Sequence, residues 1–557
     1  MRHHRSDQCD MCNAGKGGGG QAACHRSSPH KLRIRDGIRN RLRAVYAIDC
    51  AVVNSLLPGG NECRWRARMT GPTDLPKGAK VGTSTKLYYG SGQAVDAIVQ
   101  AIVNTFLLFY LTAVCGMSGA AAGSIFLISL GVDGLLDPFI GRLSDNWRSR
   151  WGRRLPFMTI ALPPMMIASA LLFTLPANLA GGALFAYVLA LNIVLRVGLS
   201  VFALPHSALT AELSDDYGER SIISTYRALF IVLGTAAALL PAFGFLFAED
   251  GALQTRPPYQ WLGLMTACLI GGFGSVCVGG IFKTVRRLPM PPGEATGTGF
   301  LSDMAQLFRN PSFVPMFGGA VLVLVGQGAT TALNLHAYRY FWELPTAYMQ
   351  LPLLVLPLGM LLGTLAAGLL LRRIEKRDGV VGAITLLGVY QIVITLLAVT
   401  GVIPAGSMIA VVLVAISGLL FGGCGALCFV CFYSMIADAV DEHDHLFGVR
   451  REALYAAALM VGAKAATGLG AFLSGLGLQL IGFVAPAKAS GIVPPDIATS
   501  VGLLWGLGGA LVVLAAIPFL RRYRIDRSHH AAVLESLAAR NADHNTAPNL
   551  TPDLAQA

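Results

Sequence analysis

From about residue 85 the chain is a succession of twelve apolar stretches. They lie near 90–112, 121–140, 155–175, 183–206, 224–247, 259–282, 312–337, 347–371, 380–400, 408–436, 453–482 and 500–520. Each is ~20 residues or longer, and at 1.5 Å per residue such a helix crosses the ~30 Å hydrocarbon core of a bilayer. In lipid a helix satisfies its backbone N–H and C=O groups internally, so the expected fold class is an all-α polytopic membrane protein. Composition agrees. The chain is 54% hydrophobic and 13% charged, where soluble domains carry about 25% charged residues.

The longest polar connection, 284–311, contains LPMPPGEATGTG and divides the spans six and six. The expected organisation is a tail over 1–84, a six-helix half over 85–283, the central loop 284–311, a second half over 312–525 and a tail over 526–557. Residues 1–68 are basic and hold five of the eleven cysteines. Cys9, Cys12, Cys24 and His25 have loose metal-ligand spacing and read as part of a disordered stretch. Residues 31–57 imitate a signal peptide, but Asp49 and Asn54 interrupt its apolar part. Translation is expected to start at Met69.

The formal charge is +12, and its distribution decides what it means. The loops 77–92, 140–156, 210–227, 283–311, 372–379, 438–452 and 521–527 hold 24 Lys and Arg, and the opposite loops only Arg256, Arg339 and Lys488. Positive charge retained on one side orients membrane proteins. Both termini are therefore expected in the cytoplasm of a multi-pass protein of the plasma (inner) membrane. Charge spread over seven short loops also excludes a nucleic-acid groove.

Deep in the spans stand Asp96, Asp133, Asp137, Arg196 and Lys464. Each costs about 2.5–3.5 kcal/mol at mid-helix on insertion scales, so a function is the expected reason for the set. Asp133 and Asp137 are one helical turn apart and share a face. Three acids against two bases leave one negative charge over, which a bound proton or sodium ion would neutralise. Gln93, Asp96, Gln100 and Asn104 form a polar stripe suited to lining a wet cavity. Gln327, Thr330, Thr331 and Asn334 form a second.

The motif Asp133-x3-Asp137-Pro138-x2-Gly141-x3-Asp145, followed by Arg148-Ser149-Arg150-Trp151-Gly152-Arg153-Arg154-x-Pro156, resembles a family signature. It is that of the glycoside–pentoside–hexuronide:cation symporters, the melibiose-permease-like branch of the major facilitator superfamily. Three more blocks agree in order: Thr85-Lys86-Leu87-x-Tyr89-Gly90-x-Gly92 with Asp96; Pro205-x-Ser207-Ala208-Leu209 with Glu212, Asp216 and Arg220; and Ala437-Asp438-x2-Asp441 with Arg450-Arg451-Glu452, Tyr455 and Lys464. The resemblance spans 85–525 and implies the major facilitator fold, twelve transmembrane helices in two six-helix halves.

It further implies a cation site at Asp133 and Asp137 with Ser200 nearby, and a facing counter-charge in Lys464. A substrate region would include Asp96, Gln100, Arg196 and Lys464. An inner gate would be made by Asp145, Arg150, Arg153, Arg154, Asp438, Asp441, Arg450, Arg451 and Glu452. The chain departs from the pattern at Ala203, where a second sugar-binding Asp is expected, and at Leu136, where Asn precedes the second cation-site Asp. Arg196 and His206 then become candidates for a more acidic or differently shaped substrate. Sodium prefers five or six oxygens, whereas two neighbouring carboxylates in a low dielectric hold a proton jointly, so proton coupling is favoured with sodium open.

The expected function is cation-coupled (H+ or Na+) symport of a sugar or sugar-like solute by alternating access, in a functional monomer in contact with membrane lipid. No cofactor is implied, and no metal beyond a sodium ion at Asp133/Asp137. The alternative is a transporter of the same fold moving an amphiphile, a lysolipid or a drug-like solute, with the charges serving only gating. An enzyme is not expected, since no nucleophile–base pair, ligand cluster or phosphate loop appears. His443 and His445 beside Asp441 and Asp444 read as a solvated charge run.

Overall fold

Twelve helices long and apolar enough to span a membrane are present. The computed structural model describes residues 81–176, 179–214, 216–249, 251–286, 306–483 and 493–546. The candidate zinc ligands, the signal-like segment, the expected start at Met69 and most of the central loop lie outside the described residues. The spans are α1 (Thr83–Val114), α2 (Gly119–Asn146), α3 (Leu155–Leu172), α4 (Gly181–Leu213), α5 (Gly218–Leu246), α6 (Pro257–Val285), α7 (Phe313–Phe341), α8 (Thr346–Leu370), α9 (Lys376–Val399), α10 (Met408–Phe447), α11 (Leu454–Leu480) and α12 (Pro495–Leu520). A thirteenth helix, α13 (Arg527–Thr546), follows. The described residues contain no strand.

The helices group as the six-and-six division requires. α1 packs on α5 and α6, and α3 on α4 and α6; in the second set α8 packs on α10, α7 on α11 and α12, and α9 on α10. The two sets meet mainly through α2 against α11, with α5 against α8 and α1 against α7. The first and seventh helices also end alike. Cys115 N–H donates to the Tyr110 carbonyl and Met117 N–H to Leu111; Trp342 N–H donates to Ala337 and Leu344 N–H to Tyr338.

Small residues permit the closest approaches. On α2, Gly119 and Gly123 lie against the backbone of Gly475 and Phe472 on α11, where any Cβ would overlap it. Gly359 and Gly363 of α8 meet Leu419 and Gly423 of α10, and Gly418 and Gly422 of α10 meet Pro352 and Leu356. In lipid, helix association relies on such backbone proximity, because apolar side chains gain nothing by leaving apolar solvent.

Both described termini lie at one end of the bundle, here the proximal end. The Gly119–Gly475 contact is at the other, distal end, where Ala120 N–H also donates to Gln479 Oε1 at 3.1 Å. Thr112 of α1 and His336 of α7 are hydrogen-bonded there at 2.8 Å. Phe109 stacks on Tyr340 with centroids 5.8 Å apart, and both His336 and Tyr340 touch Phe483.

Three sequence expectations change. Residues 438–447, expected in a loop, continue α10 without a break to Phe447, so Asp438 and Asp441 ride on a helix. His443 is not solvated: it is 2% exposed and lies 3.1 Å from the Tyr455 hydroxyl. Arg227, counted with the loop 210–227, belongs to α5, whose start is fixed ten residues earlier by Asp216, which accepts the Glu219 N–H at 2.8 Å.

Candidate functional site

The centre of the molecule is one ammonium group shared by three oxygens. Lys464 of α11 places Nζ 2.7 Å from Asp133 Oδ2 and 2.6 Å from Asp137 Oδ2, and donates to Ser200 Oγ of α4 at 2.9 Å. The i, i+4 spacing in α2 brings both carboxylates to one face. Gly134, between them, faces the Lys464 stem. Pro138 stands inside α2 and has no N–H to give the Gly134 carbonyl four residues before it. Asp133 Oδ1 and Asp137 Oδ1 are buried without a hydrogen-bond partner. Asp133, Asp137 and Ser200, the residues expected to form a cation site, thus converge on the Lys464 ammonium. Leu136 is 36% exposed and supplies no oxygen.

A second network joins α1, α4 and α5. Arg196, 2% exposed, donates Nη1 to Gln100 Oε1 at 2.9 Å and Nη2 to Asn104 Oδ1 at 3.1 Å. Asn104 Nδ2 also donates to Gln100 Oε1 at 3.1 Å. Gln93 Nε2 donates to Asp96 Oδ2 at 3.1 Å, while Arg227 donates Nε and Nη2 to Gln93 Oε1 at 3.1 and 2.8 Å. The α1 stripe is therefore real, and arginines from α4 and α5 orient its amides. Arg196 sits behind Gln100 and Asn104.

Arg227 is the residue the sequence reading missed. It lies about 14 Å along α5 at 1.5 Å per residue, and it changes the charge balance. Asp96, Asp133 and Asp137 now face Arg196, Arg227 and Lys464, so the surplus negative charge expected from the sequence is gone. The capping signature Asp216-x-x-Glu219 marks where α5 begins and was the signal that would have found it. His206 is also reassigned. Its Nε2 lies 2.8 Å from the Tyr89 carbonyl oxygen, and its ring stacks on Tyr89 with centroids 4.4 Å apart, which makes it a packing residue.

One turn beyond Lys464 toward the distal end, a cavity of about 160 Å³ opens between the two halves. Asn104 from α1, Gln327 and Thr331 from α7 and Thr467 from α11 contribute its polar lining. Asn334, on the same face of α7, accepts the indole N–H of Trp505 at 2.8 Å.

The gate residues divide by half. Arg154 pairs with Asp145 at 2.6 Å and Glu212 at 3.0 Å, and Arg153 with Glu212 at 2.7 Å. In the other half Lys376 pairs with Asp438 at 2.6 Å, and Arg450 with Asp441 at 2.9 Å and Glu452 at 2.6 Å. Each of these pairs stays within its own half. Arg150 is exposed, and Arg451 begins α11. From α13, His530 approaches Asp441 at 3.1 Å and Arg540 pairs with Asp444 at 2.7 Å. The described residues contain no cluster of metal-ligating side chains.

A charged centre is thus shared by the two helical halves. Residues 88–527 match the family described as MFS/sugar transport protein. An uncharacterised symporter of Synechocystis sp. is 27% identical, the alignment covering 84% of this chain and 98% of that protein. The isoprimeverose transporter of Lactiplantibacillus pentosus is 26% identical, covering 69% of this chain and 78% of that protein. In fold, the solved nucleoside transporter NupG is similar, with TM-score 0.57 at 15% identity over 80% of this chain and 100% of that one. With the family matched over both halves and twelve spans in place, this chain belongs to the MFS/sugar transport family: it is a multi-pass membrane transporter of the major facilitator class, not an enzyme.

Proposed function

We propose that the protein is a cation-coupled symporter of a sugar or sugar-like solute, working by alternating access with its proximal end, and so both termini, in the cytoplasm. The observation that carries this reading is the Lys464 ammonium held by Asp133, Asp137 and Ser200 across the junction of the two halves. Those oxygens form a seat for a cation, and an entering proton or sodium ion competes with Lys464 for it. Because the buried charges balance with Lys464 in place, uptake of a cation releases the lysine instead of filling a vacancy. That release loosens α11 from α2 and α4, and so couples ion binding to movement of one half against the other.

A proton needs one oxygen, and Asp133 Oδ1 and Asp137 Oδ1 are each unpartnered. Sodium needs more oxygens than these two, with Ser200 Oγ the next at hand. The solute would occupy the inter-half cavity, hydrogen-bonded by Asn104, Gln327, Thr331 and Thr467, with Asp96 and Gln100 on the continuing α1 stripe. Arg196 acts as a positioning residue for the two amides. Membership of the sugar transport family and similarity to an isoprimeverose transporter support a sugar.

The test is uptake into proteoliposomes over a panel of sugars, uronates and lysolipids, with proton and sodium gradients imposed separately. Uphill sugar accumulation driven by one gradient is expected. Lysolipid movement indifferent to both gradients would establish the amphiphile reading instead.

A further inference from the structure

A second concavity lies away from the central one. It measures about 680 Å³ and lies at the proximal end of the second half, where α12 ends, α7 begins and α9 begins. Its lining combines Arg377, Arg521, Arg522 and Arg524 with Val314 and Phe519. Many basic side chains at this end are matched by acids, as in Arg153 and Arg154 with Glu212, Lys376 with Asp438, and Arg450 with Asp441. Arg521, Arg522 and Arg524 enter no ion pair among the described residues. Arg377 has the exposed Asp378 carboxylate at 3.2 Å and a long contact to the Tyr523 carbonyl at 3.5 Å.

The local sequence holds these arginines outward. Leu520, Tyr523 and Ile525 are buried, the Tyr523 hydroxyl donating to the Met435 carbonyl at 3.4 Å, while Arg521, Arg522 and Arg524 are exposed. Pinning the intervening residues removes backbone freedom that a ligand would otherwise have to order. The Ser312 and Phe313 N–H groups at the start of α7 are already taken, both donating to Asn310 Oδ1, so the charged donors are the arginines, with the helix end adding its dipole. Val314 and Phe519 are 44% and 43% exposed beside them, on helices that run back into the hydrocarbon.

We propose that this concavity binds an anionic phospholipid, the arginines taking the phosphodiester and anionic headgroup and the Val314–Phe519 wall an acyl chain. Guanidinium groups suit phosphate oxygens because their N–H forks accept bidentate geometry. Basic pockets at span ends are where such lipids are recognised. An apolar wall continuous with a transmembrane helix selects a lipid over a free phosphate. This site is remote from Lys464 and independent of what the protein transports.

Native mass spectrometry of the purified full chain, delipidated and titrated with phosphatidylglycerol, phosphatidylcholine or inorganic phosphate, tests it. Phosphatidylglycerol should be retained at least about tenfold better than phosphatidylcholine, and the triple variant Arg521→Gln, Arg522→Gln, Arg524→Gln should lose that preference. A control triple at other exposed basic positions of the same end, Arg142→Gln, Lys283→Gln and Arg286→Gln, removes the same charge and should keep it. The substituted arginines are exposed, and an unchanged elution profile verifies folding. Equal retention of the two lipids, equal loss of preference in both triples, or displacement of phosphatidylglycerol by inorganic phosphate at matching concentration would each overturn the proposal.

Discussion

At the residue scale the molecule is governed by the cost of charge in lipid. That cost made Asp133, Asp137 and Lys464 legible in the sequence, because none of them belongs mid-span without a partner. Their mutual contact follows, since two carboxylates on one turn require a nearby cation. Truncating Lys464→Ala leaves two buried carboxylates facing each other, and breaking a buried pair costs on the order of 3–5 kcal/mol. The variant should therefore melt well below wild type at neutral pH, and Lys464→Ala with Asp133→Asn should recover much of the loss. A Lys464→Ala protein that melts with wild type would show that the lysine does not neutralise the carboxylate pair. Arg227 was not legible in the same way. Hydropathy places the start of its span at about residue 224, and an arginine three residues in looks like a loop cation. Only the cap at Asp216 shows that the helix has already run ten residues. Arg196→Gln should weaken solute binding by about tenfold, by releasing Gln100 and Asn104, without changing which ion drives uptake, since the loss is of orienting hydrogen bonds worth about 1.5–3 kcal/mol each when charged. Uptake kinetics under each gradient separate the two effects.

At the scale of elements, length and boundaries were the weakest part of the sequence reading, and the reason is physical. Hydropathy registers the hydrocarbon-facing part of a helix and stops where charges begin. α10, however, continues as a polar helix through Asp438, Asp441 and Asp444 because those acids find partners on α9, at Arg450 and on α13. The tail expected over 526–557, to which no element was assigned, carries α13, which buries Val533 and Leu537. Its N-terminus is held by Asp526, which accepts the His529 N–H at 2.8 Å and the Ser528 hydroxyl at 2.7 Å. Those bonds hold the Asp526 carboxyl below the usual range. A lowered folded value means that the stabilisation is present above the ordinary carboxylate pKa of about 3.9 and is lost as pH falls through the lower folded one. Asp526→Ala should accordingly speed proteolysis within 527–546 at neutral pH, and its difference from wild type should vanish in strong acid. The α2–α11 seam makes the opposite kind of prediction. Gly475→Val puts two methyl groups into the Gly119 backbone, so the distal closure cannot form. Transport should fall at least about tenfold, a cost of the order expected for overpacking a tight contact.

At the scale of the whole molecule, the two halves touch through side chains at the distal end and at Lys464, while the gate pairs of the proximal end are satisfied within each half. This is the arrangement of a bundle closed distally. An alternating-access cycle needs a second arrangement in which the Thr112–His336 bond and the Phe109, Tyr340 and Phe483 contacts part. Position 112 reports on that event. Thr112 is 3% exposed in the closed form, so a cysteine there, with Cys115→Ser beside it, should react slowly with a membrane-impermeant thiol reagent added from the distal side. A minor state populated to about 10% at rest and raised to about half during cycling increases the rate about fivefold. The increase should require solute together with the driving cation. It should disappear in Asp137→Ala, which no longer exchanges Lys464 for an ion, although that variant should still exchange solute across the membrane. A labelling rate that is flat in the cycling wild type would mean the distal seam is fixed packing and not a gate. Full uphill accumulation by Asp137→Ala would separate the carboxylate pair from coupling altogether.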